Sequence, residues 1–174
     1  MKVEDNFLGQ QEFDELQTLM MGGEIDWHYN DRVDYEGQKD KFMFFHMFYF
    51  NSTPCSSFCE KMNPILEIIN CMALLRIKAN LLTRTPTIVE NEYHHDISSF
   101  NDENRKTIFP EKLKQWTTSI LYVNTNNGYT KFEDGTKVES VANRVVTFPA
   151  DMKHLGTSCT DKKTRVVINF NYFK

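Results

Sequence analysis

Two turn dipeptides in the C-terminal half, Asn127-Gly128 and Asp134-Gly135, restrict the fold of this chain more than any other feature. Asn-Gly and Asp-Gly favour tight turns between antiparallel strands, and both dipeptides are flanked by aromatic or β-branched residues. The pattern therefore predicts consecutive antiparallel strands separated by turns. These strands are expected at about 116–123, 129–133, 136–141 and 143–148, with a final strand at 164–173.

The final predicted strand has two different faces, because alternate side chains of a strand point to opposite sides. One face is apolar and is expected to pack in the core. The other carries one cation and two amides, which are costly to bury without partners and are expected to line a polar cavity. The apolar face holds Val166, Ile168, Phe170 and Tyr172, and the polar face holds Arg165, Val167, Asn169 and Asn171.

The N-terminal half predicts two helices and two further strands. The first helix ends at Gly22-Gly23, and Asn63-Pro64 opens the second as N-cap and first-turn proline. A buried strand is expected over the aromatic run 41–50, and a strand with one polar face over 75–81. The helix residues predicted to be buried are Phe13, Leu16, Leu19 and Met20 in the first helix and Ile65, Leu66, Ile69 and Met72 in the second.

These elements together predict a mainly β fold with N-terminal helices, of the α+β class, built as a double-stranded β-helix or jelly-roll barrel. A length of 174 residues is sufficient for one domain with its own core. We expect a single domain over residues 1–174, with a helix-rich support over 1–74 and a barrel core over 75–174.

The composition argues against several function classes. The 20 Lys and Arg residues against 24 Asp and Glu give a net charge of -4, so the chain lacks the overall basic field that favours nucleic-acid binding. The N-terminal residues do not form a signal-peptide pattern, and no run approaches the length of about 18 apolar residues that a membrane span requires. A cytoplasmic protein with reduced cysteines and no membrane association is expected.

The tripeptide His94-His95-Asp96 predicts a metal site. On a strand, His94 and Asp96 would point to the same side and His95 to the other. His154, on a later strand, is the candidate for the third ligand. Two histidines and one carboxylate that leave coordination positions open are typical of non-haem Fe(II) oxygenases.

Arg165 is the candidate partner for an anionic ligand beside this site. It follows His154 by eleven positions, enough for a turn and a returning strand, so both can lie at the same end of the barrel. A divalent ion with one carboxylate ligand keeps a positive charge, and a bound dicarboxylate would bring a second, distant carboxylate that needs a cation. A guanidinium presents a bidentate fork to such a group. The alternative cation, Arg144, is expected to form a surface ion pair.

Several short motifs of the barrel region form a set. They are the segments 93–96, 117–124, 127–129, 132–135, 143–149 and 165–172, together with His154. This set resembles the Fe(II)/2-oxoglutarate-dependent oxygenases, specifically the compact prolyl-hydroxylase-like branch and its small members from phages and marine viruses. The resemblance covers residues 75–174 well and about the first 70 weakly.

The resemblance implies roles for six residues. His94, Asp96 and His154 would be the catalytic metal ligands for Fe(II). Arg165 would pair with the distal carboxylate of the cosubstrate 2-oxoglutarate, and Tyr122 would donate a hydrogen bond to the same group. Asn80, on the polar face of its strand, is a weaker candidate for a cosubstrate or substrate contact. O2 would be the second cosubstrate, with ascorbate as the expected reductant.

The substrate is left open by these residues. Hydroxylation of a C–H bond in a protein or peptide side chain such as proline is the first expectation, although His95 between the ligands and an end directly after the last strand depart from prolyl hydroxylases. The alternatives are an oxygenase of a nucleobase or small metabolite and a cupin-like barrel that binds a metal or ligand without turnover. A connection over 98–115 is expected to act as a lid that selects substrate. The location would be the cytoplasm, or the host cytoplasm for a viral protein.

Overall fold

The computed structural model of the protein describes residues 1–33, 41–97 and 113–174. Its helices are α1 (Gln10–Met21), a short 3-10 helix (Cys59–Met62) and α2 (Asn63–Ile68). Its strands are β1 (Lys2–Glu4), β2 (His28–Asn30), β3 (Met43–Phe50), β4 (Thr53–Pro54), β5 (Ala73–Thr83), β6 (Trp116–Tyr122), β7 (Tyr129–Phe132), β8 (Lys137–Glu139), β9 (Arg144–Pro149), β10 (His154–Gly156) and β11 (Thr164–Phe173).

The strands form two antiparallel sheets. The large sheet has the order β1-β9-β6-β11-β5-β3-β2, with β4 paired to β3, and the small sheet has the order β10-β7-β8. The strand β11 lies in the middle of the large sheet, between β6 and β5. The first 74 residues contribute four strands to this sheet, so they do more than provide the helix-rich support expected from the sequence. None of the described helices is both long enough and apolar enough to cross a bilayer.

The main core lies between the two helices and one face of the large sheet. The residues predicted to be buried in α1 are all buried there, and so is the predicted apolar face of β11. The faces of β5 are as predicted from Arg76 onward, since Ile77 and Ala79 join this core while Arg76 points to the other side; before it, Leu74 rather than Leu75 packs against the core, next to a shift in register with β11. This alternation leaves the polar face of β11 turned toward the small sheet.

A second apolar cluster joins the two sheets. It combines Ile120, Tyr122, Val146, Phe148 and Val167 of the large sheet with Phe132 and Val138 of the small sheet. The rings of Phe132 and Phe148 meet edge to face at 4.9 Å, a favoured aromatic geometry. The polar residues of β11 therefore lie on the inner face of a two-sheet arrangement, next to a packed apolar layer.

One of the two predicted hairpins is present and the other is not. The turn at Asp134-Gly135 joins β7 to β8, and Gly135 has a φ of +87°, which glycine adopts without a side-chain penalty. The prediction of a hairpin at Asn127-Gly128 is wrong, because β6 and β7 belong to different sheets. The Asn127 amide donates to Thr160 and its backbone N–H donates to Asp161, so this segment is held by a distant loop instead.

The second helix is shorter than predicted. Met62 is its N-cap, so Asn63 is the first helical residue rather than the cap, and the helix ends at Ile68. Asn70 follows with a φ of +55°, which turns the chain out of the helical path. Met72 was expected to be buried and is instead 74% exposed, because the helix stops before reaching it.

Candidate metal centre and adjoining arginine

His94, Asp96 and His154 converge at one point between the sheets. One ligand atom from each lies within 4.8 Å of the others. The Nε2 of His94 is 3.9 Å from Oδ1 of Asp96, and the Nε2 of His154 is 3.9 Å from Oδ2 of the same carboxylate. Atoms that share one ion at about 2.1 Å can be no more than about 4.2 Å apart, so the set has to contract slightly around a metal.

The backbone places the two histidines opposite each other. The His94 N–H donates to the His154 carbonyl at 3.0 Å, and the His154 N–H donates back to the His94 carbonyl at 3.1 Å. This is an isolated bridge, so the prediction of a regular strand at His94–Asp96 is wrong: the chain turns directly after the bridge. His94 and Asp96 nevertheless share one side. The Nε2 of His95 lies 3.1 Å from the Asp151 carbonyl oxygen, away from the cluster.

Both candidate histidine ligands have their ring orientation set by a backbone carbonyl. The Nδ1 of His94 lies 3.0 Å from the Glu92 oxygen, and the Nδ1 of His154 lies 3.3 Å from the Met152 oxygen. A carbonyl oxygen can only accept, so each Nδ1 carries the proton and each Nε2 presents its lone pair to the cluster. Burial lowers the pKa of His154 to about 4, which keeps its ring neutral and able to ligate at neutral pH.

Asp96 is a buried carboxylate with a full set of partners. Arg76 forms an ion pair with it, with Nη2 at 3.2 Å, while Asn171 donates from Nδ2 at 3.2 Å and Asn169 donates from Nδ2 at 3.3 Å. Burial opposes ionisation, but the positive charge of Arg76, together with the hydrogen bond from Asn171, helps to outweigh it and holds the pKa of Asp96 well below its usual range. The carboxylate is therefore charged and oriented before any ion binds.

Arg165 is also buried, but its partners are neutral. Its exposed fraction is 3%, its Nε donates to the Ser140 hydroxyl at 2.8 Å, and its Nη2 donates to the Thr130 hydroxyl at 3.2 Å. Within residues 1–33, 41–97 and 113–174, no carboxylate lies at ion-pair distance from it. Burial lowers the pKa of Arg165, but a guanidinium remains charged at neutral pH. A buried cation without an anion indicates a site for an anionic ligand.

Tyr122 lies beside this guanidinium. Its ring centroid is 5.7 Å from the Arg165 Cζ, and its hydroxyl donates to Thr130 at 2.8 Å. Burial raises the pKa of Tyr122, so the hydroxyl keeps its proton. The Thr130 hydroxyl therefore receives hydrogen bonds from both Tyr122 and Arg165, and the three polar groups form one cluster.

The metal cluster and the Arg165 cluster share one face of β11. Asn169, which contacts Asp96, is four residues beyond Arg165, a separation of about 13 Å along a strand. Asn80 pairs across the strands with Val167, between these two positions. The side-chain oxygens of Asn80 and Asn169 are buried and have no hydrogen-bond partner among the described residues. Buried acceptors are usually paired, so these two oxygens are positions where donors of a bound ligand or of water would be accommodated.

The donor set suits a particular type of ion. Two imidazole nitrogens and one carboxylate that leave coordination positions open match non-haem Fe(II), whereas structural zinc sites close four positions. The buried Arg165, which has hydroxyl partners and no carboxylate partner among the described residues, fits a bound organic anion next to it. The residues present therefore fit an iron centre with a carboxylate cosubstrate.

Sequence reasoning missed the contribution of Gly128 and Arg76. Gly128 was expected to serve a turn, but a Cβ placed there would lie 2.7 Å from the Arg165 Cδ and 2.6 Å from the Ser158 carbonyl oxygen. A glycine at this position therefore allows the backbone to lie close to Arg165, the candidate carboxylate-binding residue. Arg76 lies on the same polar strand face as Asn80, and that position was the only signal for it in the sequence.

Two other expectations have different outcomes. Arg144 forms the predicted surface ion pair, with Asp5 bound through Nε at 2.6 Å and through Nη2 at 2.9 Å. The predicted lid over 98–115 lies almost entirely outside the described residues, which resume at Leu113.

Comparison with known proteins supports the fold and leaves the substrate open. No family model and no curated protein matches the sequence. A 2-oxoglutarate-Fe(II) oxygenase-family oxidoreductase from Burkholderia pseudomallei has a TM-score of 0.68 at 8% identity, covering 97% of this chain and 82% of that one. A Trichoplax adhaerens prolyl hydroxylase, solved with a hypoxia-inducible-factor peptide fragment, has a TM-score of 0.65 at 12% identity, with coverages of 99% and 82%.

A third solved structure carries ligands of the expected kind. HygX from Streptomyces hygroscopicus, with nickel and 2-oxoglutarate bound, has a TM-score of 0.60 at 11% identity and coverages of 98% and 81%. At these identities the likeness establishes the fold alone. The protein has the double-stranded β-helix fold of the 2-oxoglutarate-Fe(II) oxygenases, as the strand pattern predicted.

Proposed function

We propose that the protein is an Fe(II)- and 2-oxoglutarate-dependent dioxygenase that hydroxylates a C–H bond. The observation that carries the proposal is the pairing, on one strand face, of a His-Asp-His cluster with a buried arginine that has no carboxylate partner among the described residues. A metal site alone, or a buried ion pair alone, would be compatible with many functions. The two together match the two ends of a chelating dicarboxylate.

The proposed roles follow from the contacts. His94, Asp96 and His154 would hold the iron, and Arg165 would bind the distal carboxylate of 2-oxoglutarate with Tyr122 beside it. The bound iron would supply the oxidative chemistry, in which 2-oxoglutarate and O2 give succinate, CO2 and a hydroxylated product. The chain's own tasks are to orient the cosubstrate, to exclude water and to keep the buried His154 neutral. Asn80 would donate to or accept from cosubstrate or substrate in the cavity.

The substrate class is proposed on weaker grounds. A peptide or protein side chain, with proline first, is supported by the likeness to a prolyl hydroxylase that was solved with a peptide. A nucleobase or small metabolite is the second candidate, and the net charge of -4 disfavours nucleic acid. We also propose that residues 1–174 act as one domain, since a single core joins α1, α2 and the large sheet. Cytoplasmic location, viral origin and the use of ascorbate stay predictions from the sequence.

The enzymatic proposal is tested by succinate formation from 2-oxoglutarate with Fe(II), O2 and ascorbate. We expect a slow succinate signal without added substrate, and we expect His154→Ala to abolish it. His95→Gln is the matched control, because this neighbouring ring points away from the cluster. Succinate formation that survives His154→Ala would contradict the proposal. Metal binding by the wild type without any succinate would favour the cupin-like binding barrel.

The substrate proposal needs a separate experiment. A peptide library rich in proline, and a matched set of nucleosides and small acids, would be incubated with the iron-loaded protein and analysed by mass spectrometry. Gain of one oxygen atom on proline-containing peptides is the expected result. Oxygen gain only on nucleosides or small acids would replace the prolyl assignment with the second candidate.

A further inference from the structure

Arg76 is a second, partly buried cation at the candidate site, and the proposed function gives it no role. It lies on β5, its side chain is 12% exposed, and its Nη2 is 3.2 Å from the Asp96 carboxylate. Its Nε donates to the Asn171 side-chain oxygen at 2.8 Å. That bond directs the Asn171 amide N–H groups toward Asp96 and Thr118. Arg76 thus touches the carboxylate directly and also orients a second group that touches it.

We propose that Arg76 is a stand-in cation for the metal: it neutralises Asp96 while the site is empty and weakens the binding of a divalent ion. The inference rests on the proposed metal role of His94, Asp96 and His154. In the metal-free protein the guanidinium and the carboxylate form a neutral pair. When an ion binds, the same guanidinium faces a centre that carries net positive charge, at a distance of a few ångströms, where repulsion is appreciable in a buried site.

The charge of Arg76 should affect metal binding more than its role in orienting Asp96 does, because other side chains also hydrogen-bond to the carboxylate. Asn169 donates to both Asp96 oxygens at 3.3 Å, and Asn171 donates to one of them at 3.2 Å. The backbone bridge between His94 and His154 fixes the segment that carries Asp96. Loss of Arg76 therefore removes a positive charge next to the ion and one of the bonds that orient Asn171, while Asn169 still donates to both carboxylate oxygens.

A cation in this position gives the empty site a defined structure. A buried carboxylate without a counter-charge repels neighbouring acceptors and destabilises the fold, and Arg76 prevents this before loading. Because Arg76 also weakens metal binding, the divalent ion is expected to exchange with solution rather than to be held permanently. The amide donors and the guanidinium on the same carboxylate are thus expected to have opposite effects on metal affinity.

The test compares charge removal with hydrogen-bond removal on the same carboxylate. Co(II) would be titrated calorimetrically into the metal-free protein, without 2-oxoglutarate, for wild type, Arg76→Met, Arg76→Lys and Asn169→Leu. We expect Arg76→Met to bind Co(II) about tenfold more tightly, because a nearby cation is gone. Asn169→Leu is expected to bind about tenfold more weakly, as is usual when an outer partner of a ligand is lost. Arg76→Lys keeps the charge and should resemble wild type.

Thermal unfolding gives a second readout. Metal-free Arg76→Met should have a lower Tm than wild type, and saturating Co(II) should raise its Tm by more than it raises that of wild type. Far-UV circular dichroism checks the fold, and Arg76→Gln replaces the Met variant if that variant does not fold.

Equal or weaker Co(II) binding by a folded, charge-removing variant would overturn the stand-in role and would leave the oxygenase proposal intact. Absence of Co(II) binding by the wild type would instead overturn the metal site itself, and the inference with it. The two failures are distinguished by the wild-type titration alone.

Discussion

The two ends of the polar face of β11 differ in how their buried charges are compensated. At the Asp96 end, the carboxylate has a guanidinium and two amides as partners. At the Arg165 end, the guanidinium has only hydroxyl partners among the described residues. A buried charge with partners can be part of a structural network, whereas a buried charge without a counter-ion costs stability unless a ligand supplies one. The comparison shows that the Asp96 end is prepared in advance, and it supports the proposal that a ligand completes the Arg165 end.

The largest expected effect comes from removing the charge at the prepared end. Asp96→Asn should abolish Co(II) binding and succinate formation, because the cluster loses its anionic ligand. It also leaves Arg76 buried beside a neutral amide, which should lower the free energy of unfolding of the metal-free protein by about 3 kcal/mol. Chemical denaturation measures this loss. The double variant Asp96→Asn/Arg76→Met should recover part of it, and no recovery would show that Asp96 and Arg76 are not energetically paired.

The two ends should also differ in their response to acid. The pKa of His154 falls from 6.5 to about 4 in the folded protein, so the unfolded chain binds the proton more readily. The contribution of neutral His154 to the free energy of unfolding is therefore fully present above pH 6.5. It declines as the pH falls toward 4, by about 3 kcal/mol in total.

Urea denaturation across this pH range checks the expectation, with His154→Gln as the control that lacks the titrating group. Arg165 and Tyr122 do not change charge in this range. A wild-type protein whose pH dependence equals that of His154→Gln would show that burial does not perturb this ring.

Removing the charge of Arg165 should weaken 2-oxoglutarate binding and leave metal binding and stability almost unchanged, the opposite of the effects expected for Asp96. Arg165→Met should raise the 2-oxoglutarate concentration needed for half-maximal succinate formation by about 100-fold, since a charge-assisted contact to a carboxylate is lost. Co(II) affinity should be unchanged. The free energy of unfolding should change by less than about 1 kcal/mol, because relief of an unpaired buried charge is offset by loss of the hydrogen bonds to Ser140 and Thr130.

Arg144→Met is the matched control, since this arginine pairs with Asp5 on the surface. A loss of Co(II) binding in Arg165→Met without a change in the 2-oxoglutarate requirement would contradict the separation of the two ends.

The smallest effect is expected from the glycine that makes room for Arg165. Gly128→Ala places a Cβ against the Arg165 Cδ and the Ser158 carbonyl oxygen, so the guanidinium must shift. We expect the 2-oxoglutarate requirement to rise by about tenfold, less than on removing the arginine, because the charge is retained. Gly23→Ala is the control, since a Cβ at that position meets no atom within 4 Å. A Gly128→Ala protein with an unchanged 2-oxoglutarate requirement would mean that Arg165 tolerates the displacement.

Much of the fold could be predicted because it depends on local pattern. The two-residue period of β5 and β11 determines which side chains share a face, and the turn at Asp134-Gly135 needs only its own two residues. The prediction of a hairpin at Asn127-Gly128 was wrong because the chain passes from one sheet to the other at this dipeptide. A distant loop holds it there, since Asp161 and Thr160 bind the backbone and side chain of Asn127. Turn chemistry favours a reversal but does not choose the strand that pairs afterwards.

The candidate ligands could be predicted because His94 and Asp96 are close in sequence and need only a shared side of the chain. Asp96 and Asn171 are 75 positions apart, and their contact depends on how the strands stack. That distance explains why Arg76, on a third segment, was not recognised as a partner of Asp96.

The sequence by itself determined the kinds of groups available at the site and the faces on which they lie, because alternation along a strand is a property of neighbouring residues. Only the tertiary structure decided that Arg76 lies beside a carboxylate, Asp96, while Arg165 is buried with no carboxylate partner among the described residues. The physical reason is that the energy of a buried charge depends on what lies within a few ångströms of it, and those neighbours come from strands far apart in the chain.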